Sequence, residues 1–303
     1  MINKETVFIL GAGASCPYSF PTGAELRKEI IESFLFKFQT YNEFIGIRDE
    51  VYDSSDISEF IDTFSKSSTN SIDLFLSRNR KYENIGKMAI AITIADHERN
   101  SGFNEGARNG DWYNFLFQVL TKGLINSNQG LEINYNKVSF VTFNYDRSLE
   151  YYLNNSLYNS FSDLRNSANT YNYIKFPIYH VYGNIGNIND VEYGLISRNG
   201  KYRIMSYTEN LKTIYQERAQ ITGEIIKAIN NAQHIIFLGF SYLDENLNIL
   251  QTEKWPTINN SLYGTILGLS DKESADLRNY FLPSSNFIYF DKIDCLQMIK
   301  YLY

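Results

Sequence analysis

The stretch that decides the fold reads TVFILGAGASCPYSFPTG and runs from Thr6 to Gly23. Its apolar and β-branched start, Thr6–Leu10, predicts a buried strand that leads directly into the turn Gly-Ala-Gly-Ala-Ser. Apolar residues then recur at helical spacing from Ala24 to Phe38, which predicts a helix packed on the sheet. A strand, a glycine-rich turn and a helix in this order are the usual scaffold for holding a phosphate against backbone N–H groups. The stretch therefore predicts a nucleotide-binding turn.

The turn matches only part of the dinucleotide-binding fingerprint. Gly11 and Gly13 occupy the first two glycine positions, but Cys16 stands at the third. No acidic residue closes a clear second strand about 20 residues further on. The pattern argues against a plain Rossmann dehydrogenase, and a tight strand-to-helix turn that holds no ligand is the alternative interpretation.

Length and charge limit the class of protein. With 303 residues, the chain can bury a sizeable core as one large α/β domain. Its 34 acidic and 28 basic residues give a net charge of −6, which argues against a broad nucleic-acid-binding face. We therefore expect no direct binding of nucleic acid.

The cysteines and the N-terminus bear on metal content and location. Cys16 and Cys295 lie nearly a chain length apart and show neither CxxC nor mixed Cys/His spacing, so we expect no zinc site and no disulfide framework. The first residues lack the pattern of a secretory signal, and no apolar run approaches the length of a membrane span. We expect a soluble, cytoplasmic protein with no metal and no membrane contact.

Short apolar runs closed by turn residues predict further parallel strands. They lie at Val138–Phe143, Ile178–Tyr182, His234–Leu238, Gly264–Leu269 and Phe287–Phe290. Helical patterns between several of them predict an α/β fold with a Rossmann-like, doubly wound and mostly parallel sheet. The chain is thus predicted to be a single domain over residues 1–303, with a helical insertion at about 41–130 after the first βα unit.

Residues 188–207 predict a small hairpin module. The dipeptide Asn199-Gly200 is typical of a two-residue hairpin turn. Its place between two strands favours either a lid or an ordinary surface hairpin.

Chemically distinctive motifs follow four of the predicted strands. They are GAGAS, FNYD, HVYGNIG and GFSYLDENL, in chain order. Open α/β sheets bind ligands at the carboxyl ends of their strands, so we expect one crevice to collect all four motifs.

Taken in order, the segments FILGAGAS, FPTG, SIDLFL, FVTFNYD, YHVYGNIG and IIFLGFSYLDENL carry a family resemblance. The chain resembles the sirtuin-like (silent information regulator type) NADase domains of bacterial antiphage defence systems, such as the Thoeris effector and the partners of HerA-type ATPases and short Argonautes. The resemblance covers nearly the whole chain. It implies that the glycine turn holds the phosphates of NAD⁺, that an Asn-x-Asp motif faces the nicotinamide ribose, and that a histidine is the catalytic base.

The resemblance assigns roles to individual residues. It makes Asn144, Asp146 and His180 the catalytic candidates. The implied cofactor-binding residues are Gly11, Ala12, Gly13, Ala14 and Ser15 at the pyrophosphate, Pro21, Thr22 and Gly23 at the nicotinamide side, and Gly239 and Ser241 at the adenosine half or phosphates. The chain departs from the protein-deacetylating sirtuins in two ways, because it has no four-Cys zinc module and because Val-Tyr-Gly follows the histidine.

These residue types also suit the hydrolysis of NAD⁺ on chemical grounds. The pyridinium departs as neutral nicotinamide, so the reaction needs help for an oxocarbenium-like transition state and for water more than a strong acid. A neutral His180 could accept a proton, while Asn144 could hold ribose or water without adding charge. The alternatives are a hydrogen-bonded core histidine at His180 and helix-capping roles for Asn144 and Asp146.

The sequence therefore predicts an NAD⁺ hydrolase that releases nicotinamide and ADP-ribose, and the resemblance implies a defence effector that depletes cellular NAD⁺. Because a free NADase would harm its own cell, we expect a homo-oligomer, a separately encoded sensor or activator protein, or both. Two alternatives stay open. One is an NAD-dependent protein deacylase or ADP-ribosyltransferase, and the other is a non-catalytic regulatory module that binds NAD⁺ or ADP-ribose.

Overall fold

The computed structural model describes residues 1–45, 52–101, 103, 110–166, 172–194, 208, 210–212, 219–252, 255 and 258–303. Most of the predicted hairpin module, including its Asn199-Gly200 turn, lies outside the described residues. Within the described ranges, no helix is both long enough and apolar enough to cross a membrane.

A six-stranded sheet lies at the centre of the described chain. Its strands are β1 (Thr6–Leu10), β2 (Val138–Thr142), β3 (Ile178–His180), β4 (His234–Leu238), β5 (Ile258–Thr265) and β6 (Ser285–Asp291). Their order across the sheet is β3-β2-β1-β4-β5-β6, and every pairing is parallel. The predicted Rossmann-like α/β fold is confirmed.

Helices surround this sheet. They are α1 (Gly23–Ile45), α2 (Ser54–Lys66), α3 (Ile72–Arg78), α4 (Glu83–Asn100), α5 (Trp112–Leu120), α6 (Ser148–Ser160), α7 (Ala219–Asn231), α8 (Asp244–Leu250), α9 (Asp271–Phe281) and α10 (Cys295–Leu302). Helices α2 to α5 stand between β1 and β2 in the chain, within the range predicted as a helical insertion. The division of the chain into one domain with two additions stays a prediction.

Strand β1 is buried on both sides because its side chains alternate between two cores. Val7 and Ile9 belong to a core that includes residues of α1, α2 and α4. Phe8 and Leu10 belong to a second core, which includes residues of α5, α6 and α10. The continuous apolar run of β1 thus follows from its place in the middle of a covered parallel sheet.

The predicted strand Gly264–Leu269 is wrong in its bounds, because β5 ends at Thr265. Beyond that residue the chain turns, with the N–H of Leu269 donating to the carbonyl of Ile266 and with Gly268 at a φ of +93°. That backbone conformation suits glycine and ends the strand. The apolar residues after Thr265 therefore belong to a turn.

The turn after β1 packs directly against the turn after β4. The N–H of Gly13 donates to the carbonyl of Gly239 at 3.0 Å. A Cβ at Gly11 would lie 2.5 Å from that same carbonyl oxygen, and one at Gly13 would lie 2.9 Å from the Cα of Gly239. Gly239 itself has a φ of +55°, and a Cβ there would lie 2.1 Å from the backbone nitrogen of Ala14. The close contact between the two turns therefore explains why Gly11, Gly13 and Gly239 are all glycine, whether or not a ligand binds there.

We expect Gly239→Ala to lower the free energy of unfolding by more than about 2 kcal/mol, because the added Cβ meets backbone and the φ is positive. Gly223 offers a matched control inside α7, since nothing lies within 4 Å of its Cβ position. Gly223→Ala should raise stability by about 0.5–1 kcal/mol, because alanine favours a helix more than glycine does. Urea unfolding of both variants measures the difference. A Gly239→Ala protein as stable as the unsubstituted one would contradict the close backbone contact.

Candidate functional site

A cavity of about 790 Å³ opens at the carboxyl ends of the strands. Each strand of the described sheet contributes lining residues shortly after its end, and the starts of α1 and α3 complete the wall. The volume falls within the range of about 300–1,000 Å³ that is usual for small-molecule and cofactor sites. The expected crevice is therefore present where an open parallel sheet places it.

Most of the predicted site residues meet at this cavity. Those that line it are Gly11, Ala12, Gly13, Pro21, Thr22, Gly23, Asn144, Asp146, Gly239 and Ser241. Ala14, Ser15 and His180 are not among the lining residues. The roles that the resemblance assigns to all of these residues stay predictions.

Asn144 is fixed against the glycine turn by its side-chain amide. Its Nδ2 donates to the carbonyl of Gly11 at 3.0 Å and to Oγ of Ser15 at 2.9 Å. A flipped amide would set Oδ1 against the Gly11 carbonyl, so these contacts determine the orientation. Oδ1 is buried and accepts no hydrogen bond from the described residues. An unsatisfied buried acceptor is costly, so this oxygen is suited to a donor that a ligand would bring.

Asp146 contacts both the cavity and the start of α6. Its carboxylate accepts from the backbone N–H of Ser148 at 3.1 Å and from the hydroxyl of the same serine. That hydroxyl lies 2.8 Å from the phenol oxygen of Tyr113. Burial raises the pKa of Asp146, although the hydrogen bonds from Ser148 oppose the rise. The contact with α6 agrees with the helix-capping interpretation, and the cavity lining leaves the ligand-binding interpretation open.

His180 lies behind Asn144, and its side chain is 8% exposed. Its Nδ1 is 3.1 Å from the backbone carbonyl oxygen of Asn144, and its Nε2 is 2.5 Å from a carboxylate oxygen of Glu150. Burial alone lowers the pKa of His180, but the Glu150 carboxylate outweighs burial and raises it overall. Neither ring nitrogen is free to take a proton in this arrangement. The sequence reasoning did not identify Glu150, and its closeness to the Asn-x-Asp motif was the only available signal.

Arg147 ties the Asn-x-Asp segment to two other parts of the chain. Its guanidinium meets Glu98 of α4 at 2.9 and 2.5 Å, and the two side chains are 1% and 0% exposed. Its Nη1 donates to the carbonyls of Gly186 and Val191 at 3.1 and 2.7 Å. This buried pair therefore fixes the segment that carries Asn144 against α4 and the loop after β3. The sequence reasoning missed both members.

The backbone of the glycine turn has few free donors. The N–H groups of Gly11, Gly13, Ala14 and Ser15 all donate to carbonyls inside the protein. In the described chain, the N–H of Ala12 meets no acceptor. A phosphate at this turn would therefore find one unused N–H, and the starts of α1 and α10 add the positive ends of two helix dipoles at the same cavity.

Four carboxyl side chains of the described residues line the cavity. They are Asp73, Asp146, Glu245 and Asp294, and no Lys, Arg or His is among the described lining residues. No group of three or more His, Cys, Asp or Glu in the described chain could hold a metal ion. Cys16 and Cys295 both line the cavity, and desolvation raises the pKa of these thiols to about 11 and about 12. Both thiols are therefore protonated at neutral pH.

Residues 138–267 match the family model of the SIR2-like domain. The matched stretch begins at β2 and ends just after β5, so it contains the Asn-x-Asp motif, His180 and Gly239. The resemblance to a sirtuin-like domain is confirmed for this part of the chain. SIR2-like domains bind NAD⁺ and often belong to NAD-using enzymes, so the match indicates NAD-related activity in general. No curated protein matches the chain.

We expect Arg147→Met to cost about 3–5 kcal/mol of stability, because it leaves the charge of Glu98 buried without a partner. Lys66→Met is the control, since it removes an exposed pair with Asp62 on α2 and should leave the unfolding midpoint nearly unchanged. Urea unfolding measures both. Adding Glu98→Gln to Arg147→Met should restore part of the loss by removing the unpaired charge. An Arg147→Met protein of normal stability would show that the pair does not hold the segment.

Proposed function

We propose that this protein is an NAD⁺ hydrolase that releases nicotinamide and ADP-ribose. The observation that carries the proposal is the amide of Asn144, which lines a cavity of about 790 Å³ with its buried Oδ1 unused by the described protein. The SIR2-like match supports NAD⁺ as the ligand. Hydrolysis is inferred from the chemistry of the wall.

The reaction breaks the bond between the nicotinamide nitrogen and C1′ of the ribose, and the electron pair leaves with nicotinamide. Water adds at C1′ and loses a proton. Asn144 suits this step because its Oδ1 has no donor among the described residues. Since this oxygen is itself buried, a small shift of the side chain would let it accept from a ribose hydroxyl or from the attacking water, while its Nδ2 stays near Gly11 and Ser15. An ionised Asp146 on the same wall would favour the positive charge that develops on the ribose.

A second candidate function is a non-catalytic module that binds NAD⁺ or ADP-ribose. One observation favours it, because the predicted base, His180, does not line the cavity and has both ring nitrogens engaged within the protein. Such a module would bind the ligand without turnover.

We place the activity in a cytoplasmic antiphage defence effector whose turnover depends on self-assembly or on a separately encoded activator. This setting rests on the sequence resemblance alone. The same assays test the deacylase and ADP-ribosyltransferase alternatives. Both of those reactions require an acyl-peptide or an acceptor protein, whereas hydrolysis requires only water.

We expect Asn144→Ala to lower kcat for NAD⁺ by about 10² or more, because the lost contact positions the reacting groups. Asn70→Ala makes the same chemical change at an exposed part of the wall and should leave kcat nearly unchanged. Chromatography of nicotinamide and ADP-ribose, with the protein alone and with the products of neighbouring genes, measures the rate. Binding of NAD⁺ by calorimetry with no turnover in any mixture would favour the non-catalytic module. Turnover only with an acyl-peptide or acceptor protein would favour the transferase alternatives.

The acidic side chains of the cavity wall also predict that the protein prefers NAD⁺ to NADP⁺ as its substrate. NADP⁺ carries an additional phosphate of about −1.5 to −2 charge, and no described cation lines the cavity to receive it. We therefore expect kcat/KM for NAD⁺ to exceed that for NADP⁺ by at least about tenfold. Parallel assays with the two dinucleotides measure the ratio, and equal values would contradict the electrostatic picture of the wall.

A further inference from the structure

We propose that His180 is held as an imidazolium by Glu150 and positions the Asn144 segment, and that it is not the base that activates water. The proposal rests on the proposed NAD⁺ hydrolysis for its effect on rate. Its structural part, the protonation of the ring, stands independently of any activity.

The protonation follows from the partners of the ring. Nδ1 faces a backbone carbonyl, that of Asn144 at 3.1 Å, and Nε2 faces the carboxylate of Glu150 at 2.5 Å. A carbonyl and a carboxylate both accept hydrogen bonds, so both nitrogens must donate. Only the doubly protonated imidazole has two donors. A neutral ring would leave one nitrogen lone pair against an oxygen.

The surroundings keep the proton on the ring. The charged groups that act on His180 from the segments around it are Glu150 of α6 and Asp146 of the turn after β2. Burial raises the pKa of Glu150, but the charges of His180 and Arg147 outweigh burial and lower it overall. The carboxyl group therefore gives up its proton and the ring keeps it.

The same arrangement of partners occurs at His97, which is not among the residues that line the cavity. His97 places Nδ1 2.6 Å from the carbonyl of Ser19 and Nε2 2.7 Å from Glu29. His234 differs, because its Nε2 lies 3.4 Å from the ammonium of Lys4 and must accept. Burial lowers the pKa of His234, whereas the pKa of His97 is raised overall against the effect of burial, mainly by Glu29. The chain has three histidines, so His97 can serve as the charged reference and His234 as the neutral reference when the protonation of His180 is measured.

The imidazolium acts on the site through the main chain of Asn144. Its Nδ1–H holds the carbonyl of the residue whose side chain is fixed on Gly11 and Ser15. When His180 loses a proton, the ring can donate to Asn144 or to Glu150 but not to both. The contacts are then lost as pH rises through the raised pKa of His180, and turnover falls on the alkaline side. A general base predicts the opposite sign, because its activity rises with pH as it loses its proton.

Nuclear magnetic resonance of protein labelled with ¹⁵N in its histidine side chains tests the protonation directly. From about pH 5 to about pH 9, both nitrogens of His180 should stay protonated well past the pH at which His234 is neutral, as those of His97 do. Single His→Gln variants of His97 and His234 assign the signals. A neutral His180 at pH 7 would overturn the proposal.

Glu150→Gln tests the positioning role, because the amide oxygen still accepts from Nε2 while the charge is lost. We expect kcat/KM for NAD⁺ at pH 8 to fall about ten- to a hundredfold, and the alkaline limb of the pH–rate profile to move to lower pH. Glu29→Gln makes the same change at the His97 pair and should leave the profile unchanged. An acid limb that moves to lower pH in Glu150→Gln would identify His180 as the base and overturn the proposal.

The two proposals fail in different ways. If no condition gives NAD⁺ turnover, the proposed function fails, while the resonances of His180 still decide its protonation. In that case calorimetry supplies the second readout. NAD⁺ affinity that falls with rising pH in the unsubstituted protein, and at lower pH in Glu150→Gln, supports positioning, and affinity independent of pH overturns it.

Discussion

The cavity depends on one contact, in which the turns after two adjacent parallel strands touch backbone to backbone. Gly13 donates to the carbonyl of Gly239 at 3.0 Å, and neither residue has room for a Cβ. The floor of the site is therefore main chain, and most N–H groups of the first turn are already used to build it. The turn also supplies acceptors, because the carbonyl of Gly11 and the hydroxyl of Ser15 hold the amide of Asn144. The glycine-rich stretch thus orients the Asn144 side chain, which follows β2, and also leaves space for a ligand.

Two ion pairs hold the segment that carries this amide, one fully buried and one partly buried. Arg147 connects it with Glu98 of α4, and His180 of β3 connects the carbonyl of Asn144 with Glu150 of α6. Burying charge is costly, and such pairs are weak evidence for stability as such. These pairs do restrict the position of the segment, because a displaced charged group would lose its hydrogen-bond partners inside the protein. In this chain they connect α4, α6 and β3 around the short loop that contains Asn144.

Sequence reasoning predicted the sheet well where burial is uniform and less well where it is not. The run of β-branched and apolar residues from Thr6 to Leu10 predicted the bounds of β1 correctly, whereas the apolar residues after Thr265 belong to a turn that contains Gly268. The rule that ligands bind at the carboxyl ends of parallel strands also brought Asn144 to the cavity wall. The direction of the His180 ring could not be predicted, because its partner Glu150 lies 30 residues away in sequence. One sequence does not show which of its distant residues are in contact.

The charged groups of the site fall into two sets, those that line the cavity and those that lie behind the lining residues. At the wall, the described lining includes carboxyl groups but no Lys, Arg or His, and α1 and α10 begin at the same cavity. One layer deeper, Arg147 and His180 are each neutralised by a carboxylate, so little of their charge reaches the cavity. A ligand's pyridinium or a developing ribosyl cation would therefore meet a negative field that the deeper cations do not cancel. Under the proposed hydrolysis, the pairing with Glu150 removes His180 from proton transfer, and the carboxyl of Asp146 and the neutral amide of Asn144 remain at the cavity wall to act on the reacting bond.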